Sequence, residues 1–339
     1  VSEAVPRPPL TVGRRSRLVA AVAVSGLGLA LAFRGADLGQ VAATVVSVRF
    51  GYLLLAVAVD LAVFLAKALK WRLILLPVRR APVSALYSAI AVGALVANVL
   101  PFRLDELARA FFLGRKQRIP SSTVLGSILV ERIVDLGMLL LVATGLVLAL
   151  GTRTGLGGGL AWLALVALGA ATLVAGLLAA RPRLVAWASR HAPESLAGRG
   201  LRVLEGLVRG LEAFPRGGRG ATVLLLAVLE WALTVRYMML VLLAFSVPLA
   251  PSGALLLVAA GYLSFAIPAA PGGLGVFELL ARGALVGGAH VEPSAALGMA
   301  LVLHLLLVVP ISLIGAGSLV WEGLGLFSLR GLDGGASRA

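Results

Sequence analysis

An all-α, polytopic membrane protein is what this sequence encodes, and two observations carry that reading. Of 339 residues, 60% are apolar and 13% charged, with a mean hydropathy of +1.03. Soluble domains hold about half and about a quarter respectively. The apolar residues also fall in runs so closely spaced that no segment longer than about forty residues is left to fold in water, each crossing taking about twenty. A separate soluble catalytic domain is thereby excluded.

Six runs read as full transmembrane helices: 18–33, 50–69, 124–150, 160–180, 222–245 and 295–320. The first is short and reads as a tilted or locally thinned span, with a signal peptide as the weaker alternative because no small-residue cleavage site follows it. Two further apolar stretches are broken by proline and glycine. One runs 83–100, breaks at Pro101 and resumes over 104–114; the other runs 252–267, breaks at Pro268-Ala269-Ala270-Pro271-Gly272-Gly273-Leu274-Gly275 and resumes over 276–286. Basic residues flank the first on both sides, so it enters and leaves from the cytoplasm. The second must begin and end outside. Both read as re-entrant hairpins, oppositely oriented. In the outgoing arm of the first, Leu104, Leu107, Phe111 and Phe112 form one apolar stripe opposite Asp105, Arg109 and Arg115. The hairpins share a faint internal repeat, Pro101-x4-Glu106-x2-Arg109 against Gly273-x4-Glu278-x3-Arg282. Paired breaks of this kind are what inverted-repeat transporters place around a midplane site.

The formal charge is +15, from 30 basic and 15 acidic residues. In a membrane protein such an excess sets topology more often than it binds nucleic acid. Arginines and lysines crowd the connections at 7–17, 67–80, 103–118 and 181–219, so both termini are expected in the cytoplasm of a bacterial-type inner membrane. One transmembrane domain is expected over 14–327, with disordered tails at 1–13 and 328–339. Within 181–219, Leu201, Leu204, Leu207, Val208 and Leu211 make an apolar stripe between arginines, suited to the inner membrane surface. With no cysteine, disulfides and thiolate sites are ruled out. His191, His290 and His304 lack metal-ligand spacing, and no cofactor is expected.

Charges inside apolar runs are the sharpest chemical signal, because an unpaired one at a helix centre costs about 3 kcal/mol. Glu131 and Asp135 share a face of the third span, with Arg132 beside them. A structural ion network, a headgroup site and a proton site all fit that pattern. Asp60, Glu230, Arg236 and His304 read as lone polar groups, with Asp60 needing Lys67, Arg132 or a proton to neutralise it. The break at Gly272, Gly273 and Gly275 opens a helix whose N-terminal N–H groups suit an anion, unless Glu278 in the first turn caps them. At the other break, Arg103 and Arg109 are spaced to hold a phosphate. No lysine and serine or threonine follow the glycines, so this is no Walker loop.

Lys70-Trp71-Arg72-x-x-Leu75-Leu76-Pro77, Asn98-x-x-Pro101-x-Arg103-x-x-Glu106-x-x-Arg109, Glu131-Arg132-x-x-Asp135 and Pro271-Gly272-Gly273-Leu274-Gly275-Val276-x-Glu278 follow one another in that order. This succession, over roughly 15–325, resembles the lysylphosphatidylglycerol synthase transmembrane-region family, flippase-like proteins that also form the N-terminal half of bifunctional aminoacyl-phosphatidylglycerol synthase/flippases. The resemblance implies a helical bundle with re-entrant elements that moves a modified phospholipid or lipid-linked sugar between leaflets. Asp105 departs from the family in standing where a glycine commonly precedes the glutamate. These 339 residues do not include the aminoacyl-transferase domain of the bifunctional members, so lipid aminoacylation is not carried over.

The expectation is a non-enzymatic lipid translocase. Arg103, Arg109 and Arg132 would hold a phosphate, and Glu131, Asp135 and Glu278 a cationic headgroup or a coupling proton, with Asn98, Glu106 and the three glycines completing the site. Its partners would be lipids with anionic or zwitterionic headgroups. Two alternatives stand beside it. One is a membrane-embedded transferase on a polyprenyl phosphate or phospholipid, using Asp105-Glu106 or Glu131/Asp135 as base or metal ligands. The other is an accessory membrane subunit docking through 181–219.

Overall fold

The computed structural model describes residues 12–100, 104–150, 217–247, 251–267 and 271–323, together with Gly206 and Gly210. Ten α-helices occur among them and no strand. They are α1 (Val12–Phe33), α2 (Leu38–Val46), α3 (Phe50–Leu75), α4 (Val83–Val99), α5 (Asp105–Gln117), α6 (Ser121–Leu150), α7 (Gly218–Ala244), α8 (Pro251–Ala266), α9 (Val276–Ala289) and α10 (Pro293–Trp321). In hydrocarbon each backbone N–H must find its partner within its own segment, which leaves a helix as the only open-ended solution.

Three described helices, α3, α7 and α10, are long and apolar enough to cross a membrane, and α1 with α2 makes a fourth if the 89° bend between them lies within one span. The expected span 124–150 is covered by α6, whose apolar run carries Glu131, Arg132 and Asp135. The expected span 160–180, residues 1–11 and 328–339 of the tails, Arg103 and most of the basic connection lie outside the described residues, while Val12 and Gly13 already belong to α1.

Two elements differ from the sequence reading. The connection 34–49 contains α2, capped where Asp37 Oδ1 accepts the N–H groups of Gly39 and Gln40 at 2.8 and 3.3 Å. It packs on α10, where a Cβ added to Gly298 would meet the Val41 carbonyl oxygen at 3.0 Å. Its short polar and glycine-bearing start masked a helix in what looked like a loop. In α5 the buried face contains Arg109, 3% exposed, while Leu107 of the expected apolar stripe is 46% exposed. The reason is the solvent: beside lipid, an apolar stripe can stay outside while charged groups turn inward to find partners.

Among the described residues the apolar core has two large parts, with two small clusters beside them. One gathers Trp71, Ile74 and Leu75 of α3, α4, α5, the start of α6 (Val124, Ile128), Val223 and Ala227 of α7, and Leu319 of α10. The other gathers α8, α9, Tyr237 to Leu242 of α7, and Ala296 to Leu303 of α10. Hairpin α4–α5 packs into the first and hairpin α8–α9 mainly into the second, with Leu279 of α9 against a small cluster of Ala32, Val41 and Leu297. Their tips meet. On α10, 29 residues long, Ser312 accepts a hydrogen bond from Asn98 Nδ2 at 3.0 Å, while His304 Nε2 lies 2.9 Å from the Gly272 carbonyl oxygen. These are the twentieth and twelfth residues of the helix, one on each side of its middle. The hairpins' open ends lie at opposite ends of α10: Lys116 of α5 pairs with Glu322, and Arg282 of α9 donates to the Pro293 carbonyl oxygen.

Candidate functional site

Between the two half-cores lies a layer of charge. From α3 come Lys67 and Lys70, from α5 Glu106 and Arg109, from α6 Glu131, Arg132 and Asp135, and from α7 Glu230. That is four cations and four carboxylates, and each carboxylate faces a cation. Lys70 Nζ sits 2.5 Å from Asp135 Oδ1 and 2.6 Å from Glu230 Oε2. Lys67 Nζ lies 3.5 Å from Glu131, 3.8 Å from Glu230 and 3.9 Å from Asp135. Arg109 forks onto Glu131 at 2.7 and 3.4 Å, and its guanidinium lies 4.3 Å from the centre of the Trp71 ring. The Trp71 indole in turn donates to Ser127 Oγ at 3.0 Å. Taking these charges out of water is repaid only where each is paired, and here every charge has a partner although Arg109 Nε makes no hydrogen bond.

Glycine makes the fit possible. A Cβ on Gly93 of α4 would overlap the Arg109 side chain, so the bare backbone there is what lets the guanidinium reach α6.

One pair differs from the rest. Arg132 Nε and Glu106 Oε1 are 2.6 Å apart at 33% and 32% exposure, while Arg109, Glu131, Lys70 and Glu230 are all buried. Arg132 also reaches Asp135 at 3.4 Å, which ties this open edge to the buried network. Arg132 is the twelfth residue of α6, about 17 Å along it. A hollow of about 390 Å³ lies elsewhere, near Lys116 and Glu322, and contains none of the eight charges.

The second break makes its own cluster. Gly272, Gly273 and Gly275 all have positive φ, at 71°, 74° and 88°, a backbone that side chains resist. Glu278 Oε2 accepts the Gly275 N–H at 2.6 Å, the return half of a capping box. Its other oxygen lies 2.5 Å from His304 Nδ1. The Phe277 ring packs against the imidazole with centroids 4.6 Å apart. Gly275 also lies tight on α1, where its Cβ would overlap the Ser25 carbonyl oxygen.

The residues singled out from sequence therefore fall in two places. Glu106, Arg109, Glu131, Arg132 and Asp135 come together in the charge layer; Asn98, Gly272, Gly273, Gly275 and Glu278 come together at the meeting of the two breaks. Asp105 opens α5 in helical geometry. Sequence reasoning missed Lys67, Lys70 and Glu230 as members of the layer. The lysines looked like cytoplasmic flanks of a span ending at residue 69, but α3 continues to Leu75 and buries Lys70 completely. The available signal was charge balance, since four carboxylates inside the expected spans, Asp60, Glu131, Asp135 and Glu230, outnumber Lys67, Arg132 and Arg236. Asp60 remains apart, buried, with its Oδ2 lacking a hydrogen-bond partner.

Fold and site together define a multi-pass helical membrane protein with a buried, charge-balanced layer and two glycine- or proline-broken hairpins. The chain belongs to the family described as the Lysylphosphatidylglycerol synthase TM region, which matches residues 18–315. This is a membrane family of lipid-related function. Among curated proteins and solved structures, none matches the chain.

Proposed function

We propose that this protein is a lipid translocase, carrying a zwitterionic or aminoacylated phospholipid, or a lipid-linked sugar, between leaflets. The observation that carries the reading is the one-third-exposed Arg132–Glu106 pair at the edge of an otherwise largely buried, neutral layer. A phosphate can replace Glu106 on Arg132 while an ammonium takes Glu106, so a zwitterionic headgroup exchanges for an existing ion pair without leaving a charge bare. Asn98 lies beside the Gly272–Gly275 break, a closeness that supports reading the two hairpins as re-entrant and oppositely oriented. The basic ends of α3 (Arg72) and α5 (Arg115, Lys116) support a cytoplasmic side there by the positive-inside rule. Each carboxylate of the layer is engaged by a cation, which favours binding over general-base chemistry.

The test is reconstitution into vesicles carrying head-labelled phosphatidylethanolamine, phosphatidylglycerol, lysyl-phosphatidylglycerol or a polyprenyl-phosphate sugar in one leaflet. Redistribution of one class that Arg132→Ala and Glu106→Gln abolish supports the proposal. If every lipid stays in its leaflet, or the variants transport normally, the proposal fails.

A further inference from the structure

We infer that Glu278 and His304 form a binding site for one proton, and that this proton locks the Gly272–Gly275 turn ahead of α9 closed. The inference rests on which atoms can donate. His304 Nε2 lies 2.9 Å from the Gly272 carbonyl oxygen, an obligate acceptor, so Nε2 must carry hydrogen. His304 Nδ1 lies 2.5 Å from Glu278 Oε1. That contact also needs a proton, on the ring nitrogen or on the carboxyl, because a bare nitrogen lone pair facing a carboxylate at this distance is repulsive. In either tautomeric form the dyad holds one hydrogen more than a neutral imidazole beside a free carboxylate.

Removing that hydrogen breaks more than one contact. Glu278 also holds the Gly275 N–H through Oε2, and His304 holds the Gly272 carbonyl oxygen, so the two ends of the glycine turn depend on the same pair. Once Nδ1 and Oε1 repel, the turn loses both anchors and the first N–H groups of α9 are uncovered. Those groups are then open to an anionic headgroup. Proton occupancy and anion occupancy of the break become alternatives, which is the linkage a coupled carrier needs.

The surroundings isolate the dyad. Around the break, α8 offers Ser264 and Phe265 and α4 offers Asn98, while α1 meets it through the Ser25 backbone. Neither α2 nor α4 carries a charged residue. Of the helices that touch α10, α3 brings one buried acid, Asp60. Arg282, one turn beyond Glu278, points away to the carbonyl oxygens of Leu31, Ala32, Arg34 and Pro293. Pro310 lies between His304 and Ser312 and deletes one backbone hydrogen bond of α10 there, so the helix holding both hairpin tips has its weak point between the two anchors.

The proton site bears on coupling only if the translocase reading holds, but its test needs no lipid flux. The chain has no cysteine, so Leu274→Cys, in the break and half-exposed, gives a single spin-label position on the full-length protein in detergent. The expected result is label mobility that rises with pH in the parent and loses its pH dependence in His304→Gln and Glu278→Gln. Mobility flat in pH in the parent, or a transition that survives His304→Gln, overturns the inference. Should those variants fail to accumulate, the ring ¹⁵N spectrum of the parent decides. A His304 signal with two protonated or proton-sharing nitrogens at neutral pH supports the site, and one bare nitrogen sinks it. Failure of lipid transport with the pH transition intact would count against the translocase and leave the proton site standing.

Discussion

The guanidinium of Arg109 is held between the Trp71 ring, 4.3 Å from its centre, and the carboxylate of Glu131, at 2.7 and 3.4 Å. Three helices, α3, α5 and α6, are joined through this one side chain. Because Glu131 is fully buried, losing Arg109 leaves it with Lys67 alone. Arg109→Ala is expected to cost about 3–5 kcal/mol in an SDS-titration unfolding measurement. Arg109→Lys should recover only part of that, since an ammonium cannot fork onto the carboxylate or lie flat on the indole. An alanine variant as stable as the parent would show that the pair is not a structural clasp.

Gly93 sets the distance over which Arg109 reaches. A methyl group there collides with the arginine stem, whereas Gly137 on α6 has open space around its Cβ position. Gly93→Ala should therefore destabilise by about 1–3 kcal/mol through overpacking. Gly137→Ala, also within a helix, should be neutral or stabilising by up to about 1 kcal/mol. The comparison is made by the same unfolding titration, and equal effects at the two positions would refute the steric account.

Much of this arrangement was legible in the sequence. The spacing of Glu131, Arg132 and Asp135 announces charges that need partners, and Gly272 to Gly275 announces a broken helix. Composition alone marks the membrane. What escaped was pairing between distant segments. Lys70 looks like a topology signal because positive residues flank spans so often; only packing reveals that α3 runs on and carries it beneath Glu230 and Asp135. The burial of Arg109 in place of Leu107 escaped for a related reason: a 3.6-residue period identifies two faces of a helix but not which one meets lipid. His304 read as a solitary histidine because its partner is 26 residues away, across the turn from α9 to α10.

At the edge of the bundle Glu292 supplies a pH dependence of known sign. Its carboxylate accepts the N–H groups of Ser294 and Ala295 at 2.8 and 2.9 Å, and these bonds hold it below the usual carboxylate range. A depressed folded-state value means that its contribution is complete above the unfolded value of about 4.3. It is lost as pH falls through the folded value. Glu292→Gln should flatten this part of the acid limb of the stability curve while leaving stability at pH 7 to 9 parallel to the parent. Thermal melts across pH 3 to 7 check it, and identical acid limbs would contradict the capping role.

Arg132 and Glu106 should separate binding from stability where Arg109 and Glu131 cannot. Each is about one-third exposed, so their pairing contributes in the range of exposed ion pairs, about 0–1 kcal/mol. Arg132→Ala leaves Asp135 still engaged by Lys70 at 2.5 Å, and Glu106→Gln leaves Arg132 its contact with Asp135. Both variants should therefore unfold within about 1 kcal/mol of the parent. Native mass spectrometry should nonetheless find them stripped of the lipid class that the parent retains, because the headgroup contacts are made by the very groups removed. If the variants keep the parent's lipids, the open pair is part of the scaffold. If they lose stability as severely as Arg109→Ala, the layer is a single structural unit and its accessible edge has no separate role.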